Sequence, residues 1–466
     1  MASFAPRRQS GLTRNGAFFP DIALHVPTVL LPRADVELSK WAVIACDQYT
    51  SQPGYWAGVR ELVGTAPSAL NLIFPEADLA SGKEDNYIAG LKQNMQSYLK
   101  AGILEPCPPG FVAVERRTAY VKSRKGLLVA LDLEQYSQEA RAKTLIRATE
   151  GTVAERISAR VKIRARAPLE LPHTMVLIDD AEKTVIEPLF EEGLSKLYDF
   201  DLMMGGGHVR GYFIGESGLI QKVAKALRRL ADPCLFAEKY GLPEDEPVLL
   251  YAVGDGNHSL AAAKTLWEAV KQNDPRAASD FKHPARFSLV ELVNLHDEGL
   301  RFEPIHRLVK NVEVQTILTG MEAYYNRLGA LFRLTSCGNP YEVQAEAKRQ
   351  EKAAGGQAHV FAFCSSMQSG VISIGRPPCN MVVGTLQAFL DDFRRENPEA
   401  AVDYIHGAQT AVNLGLGRGA IAFLLPAISK HDLFKAVIHE GAFPKKTFSL
   451  GQADEKRFYL EAQRIG

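Results

Sequence analysis

PVLLYAVGDGNHSLAAAKTLWEAV, running from Pro247 to Val270, is the stretch on which the reading of this chain turns. Val248 to Val253 is an apolar run bounded by Pro247 and Gly254, the pattern of a strand buried on both faces. Ser259 to Gln272 is rich in Ala, Leu and Lys, which favour a helix. Between them, GDGNHS makes a tight turn in which Gly254 and Gly256 permit torsions and close approach that a side chain would block. Strand, turn and helix in that order bring the first unpaired N–H groups of the helix to one point. Their partial positive charge suits a phosphate or a carboxylate. Asp255 can hold a metal ion or a hydroxyl, and His258 can donate to an anion. The competing interpretation is that Asn257 or Ser259 simply caps the helix.

Working outward, Met175 to Ile178 and Phe287 to Asn294 read as buried strands. Trp41 to Ala45, Phe111 to Val114 and Gly126 to Leu133 read as short β-type runs, and Asp85 to Leu99 as a helix. Leu202 to Ile214 contains Gly205 to Gly207 and suits a hairpin or bulge. Beyond residue 310 the pattern restarts with a helix at Val314 to Leu328 and an insertion-prone Gln344 to Gly356. Strands follow at His359 to Cys364, Gly370 to Ile374 and Ala420 to Leu425, then a helix at Lys430 to His439. Two domains are expected, residues 1–310 and 311–466, because 466 residues exceed what one core usually organises. The irregular alternation of strands and helices favours α+β over a doubly wound parallel sheet, with a C-terminal α/β domain.

Lys plus Arg equals Asp plus Glu at 54 each, so the chain has no global basic field, which argues against nucleic acid as a partner. None of the cysteines at 46, 107, 234, 337, 364 and 379 sits at CxxC spacing, and scattered thiols of this kind suit a reducing compartment. MASFAPRRQSGLTRNG has no apolar region behind its arginines and does not read as a signal peptide. The longest apolar stretch, Ala420 to Ile428, is about half of the roughly 20 residues that a membrane span requires. A cytoplasmic protein without membrane contact is expected.

Other segments can carry chemistry. IRATEGTVAERISARVKIRAR contains Arg147, Glu150 and Arg156, and arginines clamp phosphate bidentately; a solvated basic face is the alternative. WAVIACDQYTSQPGYW ends an apolar strand at Asp47, a carboxylate placed to act as a general base or merely to start a turn. MMGGGHVRG sets His208 beside glycines that can form an anion nest, DYIHG puts Asp403 and His406 three apart, and PKKTFSLG offers Lys445, Lys446 and Thr447 to a phosphate. No GxxxxGK[ST], HExxH or GxSxG motif occurs.

ACDQYTSQPGYW, RATEGTVAERI, LELPHTMVLIDD, DLMMGGGH, VGDGNHSLAAAK, EPIHRLV, DYIHG and PKKTFSLGQADEKRFYLEA together resemble the family catalogued as domain of unknown function 1015, over nearly the whole chain. The family's central motif, usually DGHHR, is similar to the turn of the ParB/sulfiredoxin superfamily, which includes free serine kinases. The resemblance implies a ParB/sulfiredoxin-like core with insertions and nucleotide phosphates on the turn at Gly254, Asp255, Gly256, Asn257, His258 and Ser259. It implies Mg²⁺ near Asp255, ATP or ADP as donor, and a small hydroxyl metabolite as acceptor, L-serine first. Ser259 stands where the family has Arg, so Arg147 or Arg156 is expected to supply the missing guanidinium. Arg147 would neutralise developing charge, and Asp47 or Glu150 would take the acceptor's proton. A regulator that binds nucleotide or metabolite without turnover is the alternative function. The resemblance leaves a homodimer open. Sulfiredoxin chemistry would need a cysteine in the turn, where Asn257 and His258 stand.

Overall fold

The computed structural model describes residues 16–466 apart from 51, 82–83, 140, 152–153 and 445. The chain forms two compact units. One comprises residues up to Arg301 together with His431–Ala442 and Ala453–Gly466, and the other comprises Phe302–Lys430 and Phe443–Gln452. The division falls before the Phe302–Lys310 strand, ahead of the 310 expected. That strand belongs to the second unit's sheet, where it pairs with Ala401–His406 and Ala420–Leu424. Residues 311–466 do not make one continuous domain either, since two of their segments return to the first unit.

The first unit is built on one mixed sheet. Its strands run in the spatial order Ser195–Asp201, His208–Ile214, Phe111–Arg117, Arg124–Asp132, Phe287–Asn294, Met175–Ile178, Tyr251–Asp255, Ile146–Ala148, Tyr136–Ser137. The first five pair antiparallel, whereas Phe287–Asn294 runs parallel to Met175–Ile178, and Tyr251–Asp255 parallel to Ile146–Ala148. Side chains on a strand alternate between faces, and both faces here are covered. Leu127, Val129 and Leu131 pack with Leu260, Ala263 and Trp267 of the Asn257–Asn273 helix and with the Ser217–Leu230 helix. The latter presents Leu219, Ile220, Val223, Ala224 and Leu227 as one apolar stripe. Val112, Val114, Leu128 and Leu289 point the other way, onto Trp41, Trp56 and the C-terminal Phe458, Tyr459 and Leu460. Two-sided burial is why these strands read as continuous apolar runs.

The C-terminal segment is threaded through this second core. Phe458–Tyr459 pairs with Val43–Ile44, and Gln463–Arg464 pairs with Leu169–Glu170. Trp41 itself ends a short helix, Leu38–Trp41, and only Val43–Ile44 of the expected strand is extended.

In the second unit the sheet order is Leu331–Cys337, Ser369–Gly375, Ala358–Cys364, Ala420–Leu424, Phe302–Lys310, Ala401–His406, all antiparallel. The unit is therefore α+β in character, not the α/β domain expected, because its strands meet without the parallel crossovers that an α/β sheet needs. The stretch expected to be insertion-prone is a helix, Val343–Ala354, made of strong helix formers and closed by Gly355 at φ 55°. Among the described residues no helix is long and apolar enough to cross a membrane.

Candidate functional site

The strand–turn–helix read from the sequence is present: Tyr251–Asp255, then Gly256, then the helix from Asn257 to Asn273. The ladder to the neighbouring strand slips here, with Met175 opposite Asp255 and Val176 opposite Val253, so Gly254 is the extra residue of a bulge. A bulge re-aims the residue that follows it. Here that residue is Asp255, whose Oδ1 accepts the Gly256 N–H at 3.1 Å.

Gly256 has φ +80°, and a Cβ on it would lie 2.7 Å from Thr174 Oγ1 and 3.0 Å from Thr174 Cα. Left-handed torsion and close backbone approach both demand glycine. Gly256→Ala is expected to destabilise the protein by about 1–3 kcal/mol from backbone strain, with the contact to Thr174 adding to it, as read by denaturant unfolding.

Gly256 is the N-cap and no side chain caps the helix, so neither Asn257 nor Ser259 plays the capping part. Asn257 is buried and works as a brace. Its Oδ1 accepts the Thr149 N–H at 3.2 Å and its Nδ2 donates to the Val253 carbonyl at 3.3 Å. Its backbone N–H and that of His258 precede the first helical hydrogen bonds, which Ser259 and Leu260 make to the Gly256 carbonyl. The half-buried His258 lies on that first turn.

Ser259 faces a polar cluster that the sequence reading did not assemble. Arg160, on the Ala154–Arg164 helix, donates through Nη1 to Ser259 Oγ at 2.7 Å. Its Nη2 pairs with Glu76 Oε1 at 2.6 Å and lies 3.7 Å from Asp47 Oδ2. Burial works against the Arg160 charge, but the nearby Cys46, Glu76 and Asp47 outweigh it and hold the guanidinium protonated. His173 Nε2 lies 3.1 Å from Ser259 Oγ, and its Nδ1 lies 2.9 Å from Tyr459 Oη. Tyr459 donates to Cys46 Sγ at 3.1 Å and accepts the Cys46 N–H at 3.3 Å. Burial pushes His173 below the usual imidazole range, so it is neutral at pH 7, and pushes the Cys46 thiol up to about 11. On the other flank of the turn, the buried Lys456 pairs with Asp255 Oδ2 at 2.9 Å.

Cys46, Arg160, His173, Ser259 and Tyr459 line one cavity of about 120 Å³, together with the apolar Leu72, Phe74 and Met95.

Several expected residues lie elsewhere. Arg147 is buried and donates to the carbonyls of Thr144 at 2.9 Å and Pro247 at 2.7 Å. Pro247 lies ahead of the Tyr251–Asp255 strand, away from the turn that follows it, so Arg147 stitches backbone rather than meeting phosphate. The Arg156 side chain and Lys445 fall outside the described residues. Glu150 is half-buried, two residues beyond the Ile146–Ala148 strand. His208 sits between two carboxylates, Asp199 and Asp201, each at 2.6 Å, which is the opposite of an anion nest. Asp403 pairs with Lys310, and Thr447 Oγ1 donates to the Pro444 carbonyl. Among the described residues no three His, Cys, Asp or Glu side chains converge as metal ligands.

The model of the family described as "Protein of unknown function (DUF1015)" matches residues 30–392. A comparison with curated proteins finds no match. Among solved structures, a conserved hypothetical protein from Pyrococcus furiosus is similar over 71% of this chain and 93% of its own, with 10% identity and a TM-score of 0.37. A free serine kinase in complex with AMP is similar over 75% of this chain and 95% of its own, with 12% identity and a TM-score of 0.39. SbnI from Staphylococcus aureus, truncated at its C-terminus, is similar over 70% and 82%, with 9% identity and a TM-score of 0.33. Likenesses this distant carry no residue roles across to this chain.

Proposed function

The chain belongs to the family described as protein of unknown function DUF1015, and on that footing we propose that it is a phosphotransferase. It moves a phosphoryl group from ATP or ADP to the hydroxyl of a small metabolite, with L-serine the leading acceptor. The first unit is read as a ParB/sulfiredoxin-like core with insertions. One observation carries the proposal: the glycine turn is bracketed by two buried or half-buried cations, one of which also reaches a carboxylate. Lys456 flanks the turn at Asp255, while Arg160 joins Ser259 to Asp47.

Phosphoryl transfer asks for positioning and charge neutralisation more than for covalent chemistry. The N–H groups of Asn257 and His258 at the helix start receive the donor phosphates. Lys456 supplies the positive charge that a serine at position 259 does not. Arg160 stabilises charge on the transferring group in the role first expected of Arg147, and Asp47 takes the proton of the acceptor hydroxyl. Asp255 is the one carboxylate of the turn and would anchor Mg²⁺ there. With Lys456 already on Asp255, such an ion would draw most of its ligands from the nucleotide.

Phosphoserine is expected when the protein is incubated with L-serine and ATP or ADP. Lys456→Met is expected to weaken nucleotide binding about tenfold or more, the loss of a charge-assisted contact. Nucleotide binding with no phosphorylated product from L-serine or other small hydroxyl compounds would replace this reading with that of a regulator.

A further inference from the structure

Ser259 is held as an activated nucleophile, and we propose that it is itself the site of a covalent phosphoryl group taken from a nucleoside triphosphate. The inference rests on nucleotide lying at the neighbouring turn, and it adds a phosphoenzyme to that reading.

The proton arrangement follows from the partners. The backbone N–H of Cys46 can only donate, so Tyr459 Oη accepts from it, and the Tyr459 hydroxyl proton is directed to Cys46 Sγ. With that proton directed to Cys46, the second lone pair of Tyr459 Oη faces His173 Nδ1 at 2.9 Å, and we place the ring proton there. That leaves the His173 Nε2 lone pair aimed at Ser259 Oγ, 3.1 Å away. Ser259 Oγ meanwhile accepts from Arg160 Nη1 at 2.7 Å, so its own proton is free to go to His173. The result is a nucleophile hydrogen-bonded to a base, with the base oriented by a third group. Burial keeps His173 neutral and able to accept a proton.

Charge selects phosphoryl over acyl chemistry. The two ends of the guanidinium face different ways: Nη2 is engaged by Glu76 and Asp47, while Nη1 is turned to Ser259. A phosphate on Oγ would meet that N–H and the N-terminal end of a 17-residue helix, both of which favour a dianion. A neutral acyl ester would use neither. In the step itself, Ser259 Oγ attacks the terminal phosphorus of the triphosphate and His173 Nε2 takes the hydroxyl proton. The bond to the bridging oxygen breaks, and the nucleoside diphosphate leaves with that electron pair. No oxidant or reductant is involved. Passing the group on to an acceptor hydroxyl, with Asp47 as base, would regenerate the serine.

The full-length protein is incubated with ATP and Mg²⁺ in the absence of any acceptor, and its intact mass and fragment spectra are recorded. The expected result is a gain of one phosphoryl group located on Ser259, stable to hydroxylamine as a serine monoester is and a carboxyl phosphate is not. Ser259→Ala should bind ATP in calorimetric titration but gain nothing, and His173→Gln should label more slowly by about a hundredfold or more. Wild-type protein that binds ATP yet carries no phosphate on Ser259 overturns the inference and leaves the phosphotransferase reading intact. If ATP does not bind, the inference is overturned, and titration with ADP decides separately whether the phosphotransferase reading stands.

Discussion

Arg457→Met is expected to destabilise the first unit by about 3–5 kcal/mol, the cost of removing one partner from a buried ion cluster. Arg457 donates from Nε to the Pro172 carbonyl at 3.1 Å, and its guanidinium contacts Glu291 and Glu461, all three side chains being almost wholly buried. Tyr198 Oη donates to Glu461 Oε1 at 2.5 Å, and Arg124 lies 4.0 Å from Glu291 Oε1. With Arg457 gone, Glu461 keeps a tyrosine and Glu291 keeps one distant arginine, so two carboxylates are left short of charge in a medium that does not solvate them. Denaturant unfolding followed by circular dichroism reads the loss. A control separates ion-pair breakage from lost packing: Arg457→Met combined with Glu461→Leu should recover part of the stability, because the remaining carboxylate, Glu291, still faces Arg124. A single variant as stable as the wild type would show that the cluster does not anchor the C-terminal segment. The consequence for function is direct, since Lys456 and Tyr459 flank Arg457 and reach the site on the same short segment.

Asp47→Asn is expected to lower kcat for phosphoryl transfer by about 10²–10⁴-fold, the usual contribution of a positioned general base, with nucleotide affinity little changed. Asparagine keeps the shape and the hydrogen bond from Gln48 Nε2, 3.0 Å from Asp47 Oδ1 in the wild type, and removes the basicity together with the charge that faces Arg160 at 3.7 Å. Glu150→Gln should change kcat less than tenfold, because Asp47 shares Arg160 with Ser259 and is the base in this account. Steady-state rates with saturating nucleotide distinguish the two. A large loss in Glu150→Gln with a near-normal Asp47→Asn would transfer the role of base to Glu150.

Local pattern carried the sequence reading far where burial is two-sided or a turn has its own chemistry. Met175–Ile178 and Phe287–Asn294 are strands with the bounds read from their apolar runs, and the glycine turn leads into its helix as expected. The site around the turn was only half legible, because its other members come from distant parts of the chain. Tyr459 and His173 touch across 286 positions, and Arg160 reaches Ser259 across 99. His173 stands in plain view in LELPHTMVLIDD, and Lys456 and Tyr459 in DEKRFYLEA, but neither stretch signals where its side chains go. Arg147 misled for a physical reason: a guanidinium with five donors satisfies backbone carbonyls as readily as phosphate, and only the fold decides which it meets. Threading of residues 453–466 back through the first unit is equally invisible to periodicity, which reads neighbours and not long-range pairing.

The most direct test of nucleotide at the GDGNHS turn is isothermal titration of the purified protein with ATP, ADP and CTP in the presence of Mg²⁺, for the wild type and for Asp255→Ala. The account predicts saturable binding of ATP or ADP by the wild type and its loss or marked weakening in the variant. Wild-type protein that binds none of the three, or a variant that binds as tightly as the wild type, would contradict it.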